Sequence, residues 1–519
     1  MQTATDTAKL PQQSQEQKEL QHDEDFRTKV KTRLAEQVLN GNQLILSLNL
    51  FVPQFVALLF EVIISFVSAY FQSKYFGEVY YESALYYLPY IQIVQKFLPY
   101  ALAQMHAINV QKLIIQNKKE EIVELNNNHF RIQLVYGIIL SIAGIVGIML
   151  LKKFDAFQTY AAVQGIFQPI CTAFSMCYSL IFAMENRRLL VISLISARPV
   201  IQIMIEAYAY SFYDAAETDA AQKLTTNFPT TLGATISYVL MAVWIVWLNY
   251  GKTMLGVTNL NEYPLKDVMK PINFCSKGFF KQFFKYSLAL LSAITNIAYP
   301  VSIIVSVQDV VKVYKDADTI VEMQFKLFVF FYFGQIFRIA ATSLNYMYTH
   351  IAINNQLAEN FKRINSTLVT IIVLSGIVNV LLFFLMTQTN LIDTFSGTSH
   401  SISLTNTLLY AGLSGFGQTI TEVVITDSII DSSYVLLLVL PIFKFIQLFI
   451  GADYLKTKIG DEADFVMVLF FTEMNSTGCA VVILLINIVK NYLKNRKINK
   501  GKKKDNKKQS LDEQLAALK

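Results

Sequence analysis

The chain has 519 residues, of which 53% are apolar and only 16% are charged, whereas a soluble globular protein carries about 25% charged residues. Apolar stretches of about 20 residues, the length needed to cross a bilayer, recur along most of the chain. This composition excludes a soluble globular protein and predicts an all-α polytopic membrane protein. The net charge of +6 does not indicate nucleic-acid binding, because much of it lies in one basic segment, 491–508.

The hydropathy pattern predicts twelve transmembrane helices. They cover about 45–72, 84–112, 132–152, 157–183, 188–212, 231–250, 284–311, 321–350, 365–387, 405–426, 433–455 and 465–490. The first apolar run begins at Leu44 and is too long for a signal peptide, so it is interpreted as a retained membrane anchor. Lys and Arg are more frequent in alternate connections, and this asymmetry predicts that both termini are cytosolic. The pattern does not distinguish the plasma membrane from an internal membrane.

The longest connection within the predicted membrane region separates two groups of six spans. The predicted divisions are a polar cytosolic tail (1–43), a first six-helix bundle (44–250), a cytosolic connection (251–283), a second six-helix bundle (284–490) and a basic cytosolic tail (491–519). The basic tail is interpreted as an orienting cytosolic charge cluster, with a site for anionic lipid headgroups as the alternative.

An internal repeat supports this division. The segment QKFLPYALAQMHAI (95–108) corresponds to QIFRIAATSLNYMY (335–348) at an offset of 240 residues. LLVISLISARPVIQI corresponds to SYVLLLVLPIFKFIQL, and this match pairs Pro199 with Pro441 at an offset of 242. Matches in the same order at a nearly constant offset predict two pseudo-symmetric bundles, and an even number of spans in each half makes the repeat parallel.

Several predicted spans carry charged or amide side chains, which are expensive in lipid and usually face a partner or a watery cavity. In the fifth span, Arg198, Gln202 and Glu206 are spaced four apart and form one polar face of a helix. The bland alternatives are an intramembrane salt bridge, such as Glu206 with Arg198, or a Glu206 that is simply solvated near the outer face. For the prolines the alternative is static packing.

The candidate site residues fall into three groups. The substrate-cavity candidates are Lys96, Arg198, Gln202, Arg338 and Lys444, the ion-coupling candidates are Glu61, Glu206 and Glu473, and the hinge candidates are Pro99, Pro199 and Pro441. Four of the deepest charges are basic, and a cavity lined by them attracts anions. The sign of this set favours phosphate-bearing or carboxylate-bearing substrates.

The sequence contains no pattern typical of an enzyme or a metal site. Its four cysteines form no CxxC, its five histidines form no HExxH, and there is no glycine-rich nucleotide loop. No catalytic residue, metal or organic cofactor is therefore predicted. Energy for transport would come from an ion gradient, with H⁺ or Na⁺ as the coupling ion.

Three segments of the chain resemble the multidrug and toxic compound extrusion (MATE) transporters, within a superfamily that also includes lipid-linked oligosaccharide flippases. LFVPQFVALLFEVIISFVSAYFQSKYFGE is similar to the family's first helix, QNKKEE to its polar turn after the second helix, and MENRRLLVISLISARPVIQI to its passage into the fifth. Many members have an aspartate in the outer half of the first helix. The matching position here falls near Ser68 or Ala69, and the acid in this helix is Glu61.

The resemblance implies a secondary active transporter, an antiporter or exporter that moves small organic substrates by alternating access. The alternative is a flippase for anionic lipid-linked oligosaccharides or phospholipid-like substrates, which the basic set favours. A non-transporting structural protein or a membrane enzyme is less favoured, since no catalytic constellation is visible. The expected partners are membrane lipids and the transported molecule, without nucleic acid, and the chain is expected to act as a monomer.

Overall fold

The computed structural model of the protein describes about half of the chain as continuous segments. These are 38–39, 41–76, 98–116, 188–212, 228–250, 278–288, 316–389, 404–431 and 465–517, with isolated positions between 121 and 146 and at 391–392, 433, 438–443 and 446. The principal elements among them are helices. They are α1 (Gln43–Phe76), α2 (Leu98–Ile115), α3 (Arg188–Tyr210), α4 (Phe228–Tyr250), α5 (Ala317–Phe328), a π-helical turn (Val329–Phe333), α6 (Gln335–Leu357), α7 (Phe361–Gln388), α8 (Thr405–Ile430) and α9 (Phe465–Ala517).

Five of the described helical segments are long and apolar enough to cross a membrane. They are Gln43–Phe71, Asp318–Leu357, Phe361–Gln388, Thr405–Ile430 and Leu469–Lys500. All five coincide with predicted spans. The total of twelve stays a prediction, because the predicted spans at 132–152, 157–183, 284–311 and 433–455 lie largely outside the described residues.

The lipid-facing surface is plainest on α7. Large apolar side chains on one face of this helix are more than half exposed, and they are Val369, Val373, Ile377, Val380, Leu381 and Phe384. The opposite face buries Ser375 and Asn379 together with apolar neighbours. A helix with apolar side chains outside and polar ones inside is stable when lipid, and not water, surrounds it.

In the first half, α3 packs between α1 and α4. Gly233 permits the close approach of α4, because a Cβ atom at this position would lie 2.9 Å from the Gln202 carbonyl oxygen and 3.1 Å from Glu206 Cγ. Pro199 lies inside α3, where it removes one backbone donor. The α3 segment that carries the polar face is therefore held against its neighbours on two sides.

In the second half, α6, α7, α8 and α9 form a packed group. Small residues on α8 permit this packing, since a Cβ atom at Gly415 would lie 2.5 Å from Phe337 Cβ of α6, and one at Gly417 would collide with Thr477 of α9. Residues Val329–Phe333 between α5 and α6 form the π-helical turn and are all buried. The Gly334 N–H donates to the Val329 carbonyl oxygen at 3.1 Å, which closes that turn.

The two halves meet along α1 and α6, and their contact differs from one end to the other. Toward the predicted cytosolic side it contains hydrogen bonds: Gln43 Nε2 donates to Thr367 Oγ1 at 2.9 Å, and Lys112 Nζ donates to the Ile430 carbonyl oxygen at 3.0 Å. Toward the other side, the Phe66 and Phe333 rings lie 4.6 Å apart. α1 therefore contacts both α3 of its own half and α6 of the other.

The last helix extends well beyond the membrane region. α9 runs without a break over 53 residues, about 80 Å at 1.5 Å per residue, so the basic tail continues the helix of the last span. Near the point where the span ends, Lys490 Nζ contacts Asp431 Oδ2 at 2.8 Å and Lys494 Nζ contacts it at 3.5 Å. These contacts fix the end of the span to the end of α8.

Candidate functional site

The polar face predicted on α3 is present, and it forms part of a network that joins α3 to α1. Arg198, Gln202 and Glu206 lie one turn apart, so their side chains follow one another along the helix. Arg198 Nη1 donates to Gln202 Oε1 at 2.9 Å, and Gln202 Nε2 donates to Glu206 Oε1 at 2.6 Å. The stripe is therefore a continuous chain of hydrogen bonds.

Arg198 is paired with Glu61 of α1. Its Nη2 and Nε atoms donate to the same Glu61 oxygen, Oε1, at 3.0 Å and 3.2 Å. The side chains are 12% and 25% exposed respectively. The guanidinium also lies over the Tyr238 ring of α4, 4.6 Å from its centroid, an arrangement in which the ring face attracts the cation. Three helices thus contribute to the position of one arginine.

Glu206 is completely buried, which rules out the alternative that it is a solvated outer-face residue. The Ser68 hydroxyl of α1 donates to its Oε2 atom at 2.5 Å, while Gln202 donates to its Oε1 atom. Charge-assisted hydrogen bonds of this kind stabilise a buried carboxylate. Ser68 is also one of the two positions near which the first-helix aspartate of MATE transporters would fall. The carboxyl group of Glu206, which comes from α3, therefore lies next to that position.

The network, named here the α1–α3 network, consists of Glu61, Ser68, Arg198, Gln202 and Glu206. It contains one guanidinium and two carboxyl groups. Ionisable side chains inside a membrane region are costly unless they are paired or hydrogen-bonded. The network supplies such partners to Glu61, Arg198 and Glu206.

A second group of ionisable side chains lies in the other half of the molecule. Arg338 Nη2 of α6 donates to Glu473 Oε1 of α9 at 2.9 Å, and the side chains are 18% and 13% exposed. On α8, Glu422 Oε1 accepts hydrogen bonds from Gln418 Nε2 at 3.1 Å and Thr342 Oγ1 at 3.4 Å. This group joins α6, α8 and α9.

A third polar cluster lies at the predicted cytosolic ends of these helices. The Tyr348 hydroxyl donates to Asp427 Oδ1 at 2.7 Å, and Gln356 Nε2 donates to Asp431 Oδ1 at 2.5 Å. Asp431 is also the carboxylate that contacts Lys490 and Lys494. Hydrogen bonds and ion pairs thus continue from the α8 span to its end.

The predicted site residues that the structure describes therefore lie in more than one cluster. Glu61, Arg198, Gln202 and Glu206 lie together in the α1–α3 network, whereas Arg338 and Glu473 form their own pair. Lys96 and Lys444 lie outside the described residues. Their functional roles stay predictions.

The three hinge candidates have different settings. Pro99 occupies the second position of α2, Pro199 lies inside α3, and Pro441 lies in a short helical stretch at 438–443. Pro199 directly follows the arginine of the network, which makes it the hinge candidate with the closest link to the charged groups. A hinge role for any of the three stays a prediction.

Several residues of these clusters were absent from the predicted site residues, and four of them show which signals were missed. Ser68 follows Glu61 by two helical turns, a spacing that places both on one face of α1. Glu422 is an acid inside a predicted span, and that fact alone would have identified it. Asp427 lies just beyond the predicted end of that span, while Tyr238 carries no sequence signal that separates it from an ordinary membrane tyrosine.

Within the described residues, no group of three or more His, Cys, Asp or Glu side chains could hold a metal ion.

Comparison with known proteins gives a clear fold and no close relative. No protein-family profile matches the sequence, and no curated protein matches it significantly. Solved structures do match. A transporter of the MOP superfamily from Pyrococcus furiosus, reported to have a binding pocket of reverse polarity that suggests a different function, superposes with a TM-score of 0.67 at 12% identity, over 88% of this chain and 98% of that chain.

Two further matches are MATE structures. An outward-facing multidrug resistance MATE transporter of the MOP superfamily gives a TM-score of 0.65 at 12% identity, over 89% of this chain and 98% of that one. A MATE transporter in complex with MaL6 gives 0.66 at 12% identity, over 89% and 99%. The likeness is one of fold: the chain has the MATE fold and is an integral multi-pass membrane protein. These neighbours are transporters rather than enzymes.

Proposed function

We propose that this protein, whose fold is that of MATE transporters of the MOP superfamily, is a secondary active transporter of small organic substrates. It would work by alternating access, driven by a gradient of H⁺ or Na⁺. The observation that carries the proposal is the α1–α3 network, in which Glu61 is paired with Arg198 and Glu206 is linked to the same arginine through Gln202 inside the membrane region. Ionisable groups at such depth typically mark ion pathways in transporters.

The network offers a physical route from ion binding to movement. α1 is attached to α3 at two points seven residues apart, through Glu61 to Arg198 and through Ser68 to Glu206. A proton on Glu206 neutralises its carboxylate and weakens the hydrogen bonds that the carboxylate accepts. Since α1 also packs against α6 of the other half, a change in its attachment to α3 alters the contact between the halves.

Transport by the purified full-length protein in liposomes tests this proposal. With an imposed pH or Na⁺ gradient, we expect gradient-driven movement of a fluorescent organic cation or anion. Glu206→Gln and Glu61→Gln should each lower the rate by about tenfold or more, because each removes an ionisable group from the pathway. The control is Glu322→Gln, which removes an acid from a partly exposed i,i+4 pair with Lys326. A gradient-independent rate, or equal rates for all variants, would contradict the proposal.

The flippase alternative depends on positive charge that is free to meet an anionic substrate. Among the described residues, Arg198 and Arg338 each face a glutamate at about the distance of an ion pair, 3.0 Å and 2.9 Å. The remaining members of the basic set, Lys96 and Lys444, would have to supply that charge. The Pyrococcus furiosus neighbour, with its reported reverse polarity, keeps this second function open for the fold. Preference for an anionic over a cationic dye in the liposome assay would support it.

A further inference from the structure

We propose that Gln202 transmits the protonation state of Glu206 to the Arg198–Glu61 pair, a role that rests on the proposed ion-coupled transport. Gln202 bonds to both groups, because its amide nitrogen donates to Glu206 and its amide oxygen accepts from Arg198. It is thus a positioning residue for the arginine.

The orientation of the Gln202 amide follows from its partners. A guanidinium only donates hydrogen bonds and an ionised carboxylate only accepts them. The amide oxygen must therefore face Arg198, and the amide nitrogen must face Glu206. α4 approaches this residue closely at Gly233, since a Cβ atom there would lie 2.9 Å from the backbone carbonyl oxygen of Gln202 and 3.4 Å from its Cγ atom.

Protonation of Glu206 disturbs this arrangement in either of two ways. A proton on Oε1 places an O–H opposite the amide N–H, and the amide must turn, which directs its N–H groups at the guanidinium. A proton on Oε2 is accommodated by rotation of the Ser68 hydroxyl, but the bond from Gln202 then loses the charge that made it strong. In both cases the hold of Gln202 on Arg198 weakens, and Glu61 becomes the principal partner of the arginine.

Within the described part of the chain, charged and titratable groups near Glu206 come from each of the packed helices. Glu61 lies on α1, Arg198 on α3 itself and Tyr238 on α4, where it contacts the arginine. Glu206 and Arg198 also interact directly through space. A direct electrostatic effect survives the loss of Gln202, whereas transmission through the amide does not, and this difference separates the two mechanisms.

The experiment is a double-mutant cycle in the liposome transport assay, with Gln202→Met and Glu206→Gln. Methionine keeps the size of the side chain and loses both hydrogen bonds. We expect each single variant to lower the gradient-driven rate by about tenfold and the double variant to fall no more than about twofold below the slower single variant, because both changes break the same chain. The pH dependence of Gln202→Met should be flattened. The proposal is wrong if the fold-losses of the two single variants multiply in the double variant. It is also wrong if the pH profile of Gln202→Met equals that of the unchanged protein.

The second half supplies a matched comparison. Gln418 donates to Glu422 with the same four-residue spacing as Gln202 and Glu206, so Gln418→Met makes the same chemical change in another place. In the double variant, the fold-loss of transport rate from Gln418→Met should multiply with the fold-loss from Glu206→Gln. If Gln418→Met proves as strongly coupled to Glu206→Gln as Gln202→Met is, the coupling is a general property of the fold, and the specific role of Gln202 is wrong.

A spectroscopic measurement separates failure of this inference from failure of the proposed function. The infrared band of the protonated Glu206 carboxyl group, identified by its absence in Glu206→Gln, can be followed against pH in the purified protein. Gln202→Met and Gln202→Glu should each shift its titration midpoint. If the band shifts but no transport is found, the role of Gln202 stands and the proposed transporter function is wrong. If transport is found but the band is unshifted in both variants, the transporter function stands and the role of Gln202 is wrong.

Discussion

Among the described residues, each half of the molecule contains a partly buried arginine–glutamate pair, and the two pairs join different helices. In the first half, Arg198 and Glu61 join α3 to α1. In the second half, Arg338 and Glu473 join α6 to α9. The N–O distances, 3.0 Å and 2.9 Å, are nearly equal. The same kind of ion pair therefore joins different helices in the two halves.

At the offsets of the predicted repeat, neither pair has a counterpart in the other half. At the offset that pairs Pro199 with Pro441, Arg198 corresponds to Leu440. At the offset of 240, Arg338 corresponds to Leu98 and Glu473 corresponds to Gly233, the glycine that lets α4 approach Glu206. The predicted repeat thus relates the helices and not these intramembrane charges. The halves are therefore expected to contribute unequally to ion coupling.

The largest expected effect is that of Arg198→Leu. It leaves the partly buried Glu61 without its arginine and Gln202 without its donor, and removal of one partner of a buried pair destabilises a protein by about 3–5 kcal/mol. We expect this loss in thermal unfolding of the detergent-purified protein, together with loss of transport. Lys326→Leu, which breaks a partly exposed pair with Glu322, is the control and should cost under about 1 kcal/mol.

Arg338→Leu provides the comparison between halves. Its effect on stability should be similar to that of Arg198→Leu, because Glu473, 13% exposed, is better buried than Glu61, 25% exposed, and each acid loses its arginine partner. The pH dependence of the remaining transport should keep its midpoint if coupling belongs to the α1–α3 network. A midpoint shift as large as that of Gln202→Met would show that the halves share the coupling.

An intermediate effect is expected for Gly233→Ala. The added methyl group would lie 2.9 Å from the Gln202 carbonyl oxygen and 3.1 Å from Glu206 Cγ, so α4 must move away from α3. Overpacking of this kind costs about 1–3 kcal/mol. Unfolding temperature and transport should both fall. Gly478→Ala, at a glycine with open space around the Cβ position, should leave the unfolding temperature unchanged, and equal effects of the two changes would contradict the packing argument.

An effect of about the same size as that of Gly233→Ala, or smaller, is expected for Ser68→Ala. It removes the hydroxyl that donates to Glu206 Oε2, and the net loss for one hydrogen bond to a charged group is about 1.5–3 kcal/mol at most. A carboxylate with one donor fewer takes up a proton more readily. The pH at which transport is half-maximal should therefore move upward relative to the unchanged protein. A downward movement, or none, would show that Ser68 does not stabilise the ionised form.

Much of the architecture could be predicted because it depends on local composition. The apolar runs gave the positions of the spans that the structure describes, and the four-residue spacing of Arg198, Gln202 and Glu206 gave their shared face. The partner of Arg198 could not be predicted. Glu206 lies eight residues from Arg198, about 12 Å along the helix, so a direct pair was geometrically poor and an acid from another helix was needed.

The sequence by itself determined that this is a helical, multi-pass membrane protein with a polar face on one of its spans, because hydropathy and helical periodicity are properties of neighbouring residues. The tertiary structure decided which groups meet. It brought Glu61 and Ser68 of α1 to α3, buried Glu206 completely and kept Arg338 with Glu473 in the other half. Such contacts depend on the packing of helices that are more than a hundred residues apart in the chain, and no local pattern encodes them.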